Sequence, residues 1–250
     1  MAFQDYINGL QALLERIRDE QASAIESAGL LVGEALIADG LIHTFGTGHS
    51  HLIADEAFFR AGGIAAINPI LDERLVFLKG ALESTRVERM PGLARTLIEQ
   101  EEVGPHDVAI VISNSGRNNA PVEMALEMKS RGVRVVAITS GTQSRSSRSL
   151  HAGGRRLLEV ADVVVDNCVP AGDALLSLPG LASRIGPSST VAGAAIINSI
   201  VIEGVAHALR RGARVRVLPS ANVDGVTEET LQELLGHYRG RVRYLDLEDA

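Results

Sequence analysis

The run Val108-Ala109-Ile110-Val111-Ile112 constrains the fold more than any other stretch: it is wholly aliphatic, shows no alternation, and is bounded by Asp107 and Ser113. A strand with one face in water shows a period of two, so a strand with no polar face must be covered on both sides. That is the condition of a parallel sheet clad by helices. Similar runs at residues 41–45, 64–67, 133–138 and 163–165 read as further strands. Helical patterns stand between them at about 51–60, 93–101 and 121–131, and a long apolar helix opens at 186–190 and runs to about 209. Strands alternating with helices predict an α/β fold, a doubly wound parallel sheet in three layers.

The flanks add to this core. Phe3, Ile7, Leu10, Leu14 and Ile17 recur at helical spacing, and the pattern continues through Ile25 and Leu36, which predicts an N-terminal helical extension over about 1–39. The tail, about 212–250, reads as two edge strands at 215–218 and 242–245 with a helix at 227–238 between them. Residues 68–89 are charged and irregular, a loop with a helical piece. With no internal repeat and no linker, the chain is expected to be one domain over 1–250.

Composition excludes several function classes. A net charge of -7 argues against a nucleic-acid partner, which needs a clustered excess of Lys and Arg. Cys168 is the single cysteine, so no intrachain disulfide is available. The N-terminal segment mixes acids with apolar residues and is no signal peptide. The most apolar segment, 191–202, is shorter than the roughly 20 residues of a spanning helix. A cytoplasmic protein without a membrane partner is expected.

In doubly wound sheets ligands bind at the carboxyl ends of strands, where loops lead into helix N-termini. Three such turns here are built of small and hydroxylic residues: Gly46-Thr47-Gly48-His49-Ser50, Ser113-Asn114-Ser115-Gly116-Arg117-Asn118, and Ser188-Ser189-Thr190. Small residues let backbone N–H groups approach an anion, hydroxyls add donors, and the helix dipole favours negative charge. Each turn alone could be an ordinary helix cap. Their convergence points to a phosphate. A dinucleotide fingerprint would need a third glycine where His51 stands, and the Gly-Lys-Ser/Thr of a P-loop is absent.

These three turns resemble the phosphosugar-binding elements of SIS (sugar isomerase) domains, a flavodoxin-like superfamily that includes phosphoheptose isomerase and muramic-acid-6-phosphate etherase. The resemblance covers roughly residues 30–210. The segments 220–225 and 79–85 are also similar to a bacterial group of stand-alone SIS proteins without an assigned reaction. Carried over, the resemblance implies a phosphosugar ligand. Its phosphate would be held by Ser113, Ser115 and Asn118 with Asn114 and Gly116 in the same turn. Ser50 would act beside Gly46, Thr47 and Gly48, and Ser188, Ser189 and Thr190 would complete the cradle. Asn118 stands where relatives often carry a hydroxyl.

Aldose–ketose isomerisation needs a base near a carbon-bound proton and an acid near the carbonyl. Glu56 lies about 9 Å along a helix from Ser50, the span from a phosphate to the reactive end of a sugar. Glu83, with Glu88, lies in the long segment after the second strand. Either carboxylate could equally be a solvated surface charge. His49 is the candidate acid or ring-opening group. Relatives place an acidic residue where this chain has Arg60, which opens the alternative of a non-catalytic phosphosugar-sensing module acting through a partner protein. His49 and His51, with Asp55 or Glu56 nearby, could bind a divalent metal, but no third ligand stands clearly at fixed spacing, so no metal or other cofactor is expected. The apolar N-terminal helix and the long helix ending near 209 point to a homodimer or homotetramer.

Overall fold

A computed structural model describes residues 1–245. Five parallel strands form one sheet: β1 (Ile42–Gly46), β2 (Ile67–Pro69), β3 (Val108–Ile112), β4 (Arg134–Thr139) and β5 (Val163–Asp166), in the order β2-β1-β3-β4-β5. Every residue of β3 is buried, as its unbroken apolar run requires. Its side chains alternate between two cores. Val108, Ile110 and Ile112 face one side with Val136 and Ile138 of β4, whereas Ala109 and Val111 face the other with Val135 and Ala137.

The first core is closed by helices α1 (Ala2–Glu20), α2 (Ala22–Ile37), α3 (His49–Glu56) and, near the end of the chain, α9 (Ser189–Arg210). The second is closed by α4 (Ala81–Glu88), α5 (Leu93–Ile98), α6 (Asn119–Ser130) and α8 (Leu157–Val160), with the short α7 (Gly141–Ser146) after β4. The remaining helix, α10 (Glu228–Leu235), belongs to the tail. Helices α2 and α9 pack closely because Gly33 faces His207; a Cβ at Gly33 would come within 2.7 Å of the His207 ring.

The N-terminal extension is two consecutive helices, where the periodicity allows either one long helix or two. Helix α9 extends over 22 residues, in line with the long apolar helix expected to run to about 209. Its length and composition alone would suit a bilayer, but it is packed against α2 and α3 inside the fold. Cys168 is buried, and burial together with the Asp166 carboxylate pushes its thiol up to about 11.

Two expected edge strands are replaced by other structure. Residues 215–218 make a single antiparallel bridge, Val217 with Ile64, and the tail end forms a 3-10 turn, Arg243–Leu245. The neighbouring β2 is a strand of 3 residues whose outer side carries Pro69, so it offers no ladder for either segment to extend. The second strand itself begins later than its apolar run, because pairing with β1 sets Ile67 opposite Ile42. Helix α3 starts at His49 rather than after it, and residues 81–88, expected within a loop, are helical.

Candidate active site at the strand switch point

The chain leaves β1 toward β2 on one side and returns to β3 on the other, so the sheet order reverses between β1 and β3. In such sheets the crevice beyond that point is where ligands bind. Gly46 pairs with Ile112, so the turns beginning at Thr47 and Ser113 leave the sheet side by side.

The first turn is tight. A Cβ on Gly46 would collide with the Ser50 carbonyl, and Gly48 adopts φ +56°, which favours glycine. The Gly48 N–H donates to the Leu75 carbonyl at 2.8 Å, which ties the turn to the segment after β2. Thr47 is buried, and its hydroxyl donates to Oε1 of Glu88 at 2.5 Å. Ser50 is half-buried, and its hydroxyl has no protein partner among the described residues.

In the second turn Ser113 Oγ accepts the Gly116 N–H at 3.2 Å, with Gly116 at φ +59°. Asn114 is a staple: its Nδ2 donates to Gln143 at 2.9 Å and its Oδ1 accepts from Asn167 Nδ2 at 2.9 Å. Its side-chain amide therefore ties together the carboxyl ends of β3, β4 and β5. The Ser115 hydroxyl has no partner among the described residues. Buried polar atoms without partners gather here: Arg117 Nε, Asn118 Oδ1 and Asn119 Oδ1 lie in or just after the turn, and Ser144 Oγ lies against Gly116. Buried polar groups are ordinarily satisfied, so this concentration makes the turn a candidate position for a polar ligand.

The third turn lies at the same level. Ile53 packs on Gly193 and Asn198 Nδ2 donates to Glu56 at 3.3 Å, so α3 and α9 run side by side in the same direction and their N-termini coincide. The N-terminus of α9 is already occupied. The Asp173 carboxylate accepts the N–H groups of Ser188 and Ser189 at 2.9 and 2.8 Å and their hydroxyls at 3.2 and 2.5 Å. Thr190 retains a half-buried hydroxyl.

The carboxylates sort differently from their sequence positions. Glu56 is ion-paired with Arg60. Glu83 lies on α4, where a hydrogen bond from Arg86 holds its carboxyl below the usual range. Glu88, one helical turn beyond Ser84, is the acid that reaches the site. Ser84 faces inward and donates to the Leu75 carbonyl at 3.0 Å, so positions 84 and 88 share the inner face of α4 and 83 does not. Recognising residues 81–88 as a helix would have selected Glu88 from that spacing. His49 is exposed and packs against Phe77 in a tilted contact with ring centroids 4.9 Å apart. Burial lowers the pKa of His51, against the opposing charge of Asp55. Among the described residues, no group of His, Cys, Asp and Glu side chains is placed to hold a metal ion.

Comparison with known proteins agrees with this architecture. A UPF0309 protein of Listeria monocytogenes serotype 4b is 39% identical over 243 residues, spanning 97% of this chain and 98% of the relative. A UPF0309 protein of Geobacillus kaustophilus is 36% identical over 240 residues, 96% of this chain and 95% of the relative. Among solved structures, a phosphoheptose isomerase from Francisella tularensis superposes with a TM-score of 0.51 at 15% identity, covering 82% of this chain and 97% of that one. The phosphoheptose isomerase of Neisseria gonorrhoeae gives 0.50 at 16%, covering 82% and 95%. These structural likenesses establish the shared fold. Residues 5–140 match the SIS domain, and the chain belongs to the SIS domain family.

Proposed function

We propose that this protein binds a phosphosugar across the β1–β3 switch point and interconverts its aldose and ketose forms. The phosphate rests on the turn from Ser113 to Asn118, at the N-terminus of α6, where backbone N–H groups and the free Ser115 hydroxyl supply donors. Asp173 closes the α9 N-terminus, so the Ser188–Ser189 pair shapes the wall of the site rather than gripping the anion. Glu88 is the base. It takes the proton from the hydroxyl-bearing carbon beside the carbonyl and returns it to the carbonyl carbon, while His49 at the mouth gives a proton to the carbonyl oxygen and takes back the proton of the neighbouring hydroxyl.

The observation that carries this reading is the Thr47–Glu88 hydrogen bond, which brings a carboxylate into the first turn, beside the second. Glu88→Gln tests it directly. Turnover on sugar phosphates should fall by about a thousandfold or more, a typical cost of losing an acid–base group, with ligand binding retained. Undiminished turnover would remove Glu88 from the mechanism.

A second reading, a phosphosugar-sensing module without catalysis, is favoured by the Glu56–Arg60 ion pair, which ties up the other nearby carboxylate. Binding without turnover across all sugar phosphates would support it. Self-association belongs to both readings. Ile202 and Leu209 on α9 and Phe3 and Ile7 on α1 are exposed, and a groove of about 420 Å³ between α1, α2 and α9 is lined by Leu14, Ile17, Ile25 and Ile202. A second copy would cover this face.

A further inference from the structure

At the other end of the sheet the fold buries a charged network that the proposed reaction does not use. His43 of β1 is fully buried; its Nε2 lies 2.9 Å from Asp107 Oδ2, and its Nδ1 lies 3.0 Å from Nδ2 of Asn68 in β2. The same Asn68 Nδ2 donates to Oε2 of Glu101 at 2.8 Å, and the Glu101 side chain is 1% exposed. On its other side Asn68 Oδ1 accepts the backbone N–H of Arg243 at 3.3 Å. The Arg243 guanidinium stands 3.7 Å from Glu101 and donates to Gln100 at 2.6 Å. Asp107 also accepts the N–H groups of Leu41 and Gly104 at 2.8 and 2.6 Å, and Glu102 and Arg241 flank it in an adjoining groove.

Chemistry fixes the Asn68 amide. An ionised Glu101 only accepts and the Arg243 N–H only donates, so Nδ2 faces Glu101 and Oδ1 faces Arg243. His43 Nδ1 then meets a donor and must accept. The ring is therefore neutral, with its one proton on Nε2 and given to Asp107. A second proton, on Nδ1, would set two donors face to face. A half-turn of the Asn68 amide relieves this by offering Oδ1 to the imidazolium. It also turns Nδ2 against the Arg243 N–H, which loses its acceptor, and sets Oδ1 against the Glu101 carboxylate, which loses its donor. A doubly protonated His43 and the Arg243 anchor exclude one another.

We propose that His43 and Asn68 form a proton-operated latch on the C-terminal strap, residues 236–245, closed when the ring is neutral and released when it is charged. The strap covers the free edge of β2, and its Tyr244 hydroxyl donates to the Leu71 carbonyl at 3.0 Å. Leu71 is the root of the segment that carries Phe77 and Glu88 to the candidate site, so release of the strap loosens that segment. The latch goes beyond the isomerase reading and does not depend on it.

Hydrogen exchange on the full chain, corrected for intrinsic rates, tests the latch between about pH 8 and pH 5, where imidazoles change charge. Protection of the strap amides should fall about tenfold or more on acidification while β3 amides keep theirs. His43→Gln keeps a donor for Asp107 and an acceptor for Asn68 but does not titrate, so its strap protection should stay flat. A flat wild-type profile, or the same fall in His43→Gln, overturns the proposal. If His43→Gln does not fold, the wild-type NMR titration decides: the His43 ring and the Arg243 amide must share one midpoint, and separate midpoints overturn the latch.

Discussion

The Thr47 hydroxyl donates to Glu88 Oε1 at 2.5 Å, across 41 residues of sequence, and this contact fixes a carboxylate of α4 beside the turn that ends β1. Thr47 is buried and cannot exchange this bond for water. Thr47→Val keeps the shape and removes the donor. It should lower turnover about tenfold to a hundredfold with little change in sugar phosphate affinity, and cost about 1 kcal/mol of stability. Steady-state kinetics and urea denaturation of the variant check both parts.

Asn114 spans Gln143 and Asn167 with both ends of one amide. Asn114→Ala leaves a donor and an acceptor without partners at the carboxyl ends of β4 and β5. A loss of about 2–3 kcal/mol is expected, larger than for a surface substitution, together with weaker ligand binding as the turn loses its anchor. Chemical denaturation and calorimetric titration measure the two effects.

Asp173 acts as a built-in anion at the N-terminus of the longest helix. Asp173→Ala removes the acceptor for two N–H groups and two hydroxyls and should destabilise by about 1–2 kcal/mol. Added sulfate or phosphate should restore part of this loss by occupying the vacated position. Thermal denaturation with and without these anions, against chloride at equal ionic strength, gives the comparison.

Most of the sheet could be read from the sequence because a strand covered on both faces leaves an unbroken aliphatic run, as in Val108–Ile112. The turns could be read because small and hydroxylic residues gather where strands end. Glu88 could not. Its placement depends on residues 81–88 being helical, and that helix has a mixed charged surface with no apolar stripe to announce it. Asp173 was equally hidden, since a carboxylate 15 residues upstream of Ser188 reaches the helix only through the folded loop. The tail misled in the opposite way: 215–218 has the composition of a strand, but β2 is too short to pair with it.

Burial raises the Asp107 pKa, but hydrogen bonds from His43, Leu41 and Gly104 outweigh this and hold it below the ordinary value. A depressed folded value means that the ionised carboxylate stabilises the fold. The contribution is complete above the ordinary aspartate value, about 4, and is lost as pH falls through the folded one. Asp107→Asn should therefore be less stable at neutral pH by about 2 kcal/mol and show a shallower acid limb below about pH 4 than the wild type. Urea denaturation across that range measures the difference.

The most direct test of the central claim is thermal stabilisation by a panel of sugar phosphates, run in parallel on the wild type and Ser115→Ala. The Ser115 hydroxyl has no partner among the described residues, so its removal should leave the free protein's melting temperature unchanged. One sugar phosphate at about 100 times its dissociation constant should stabilise the wild type by about 2.7 kcal/mol, a shift of a few degrees. The free sugar should give no shift, and Ser115→Ala should lose most of the effect. No shift with any sugar phosphate, or an equal shift in Ser115→Ala, would contradict binding at the β1–β3 switch point.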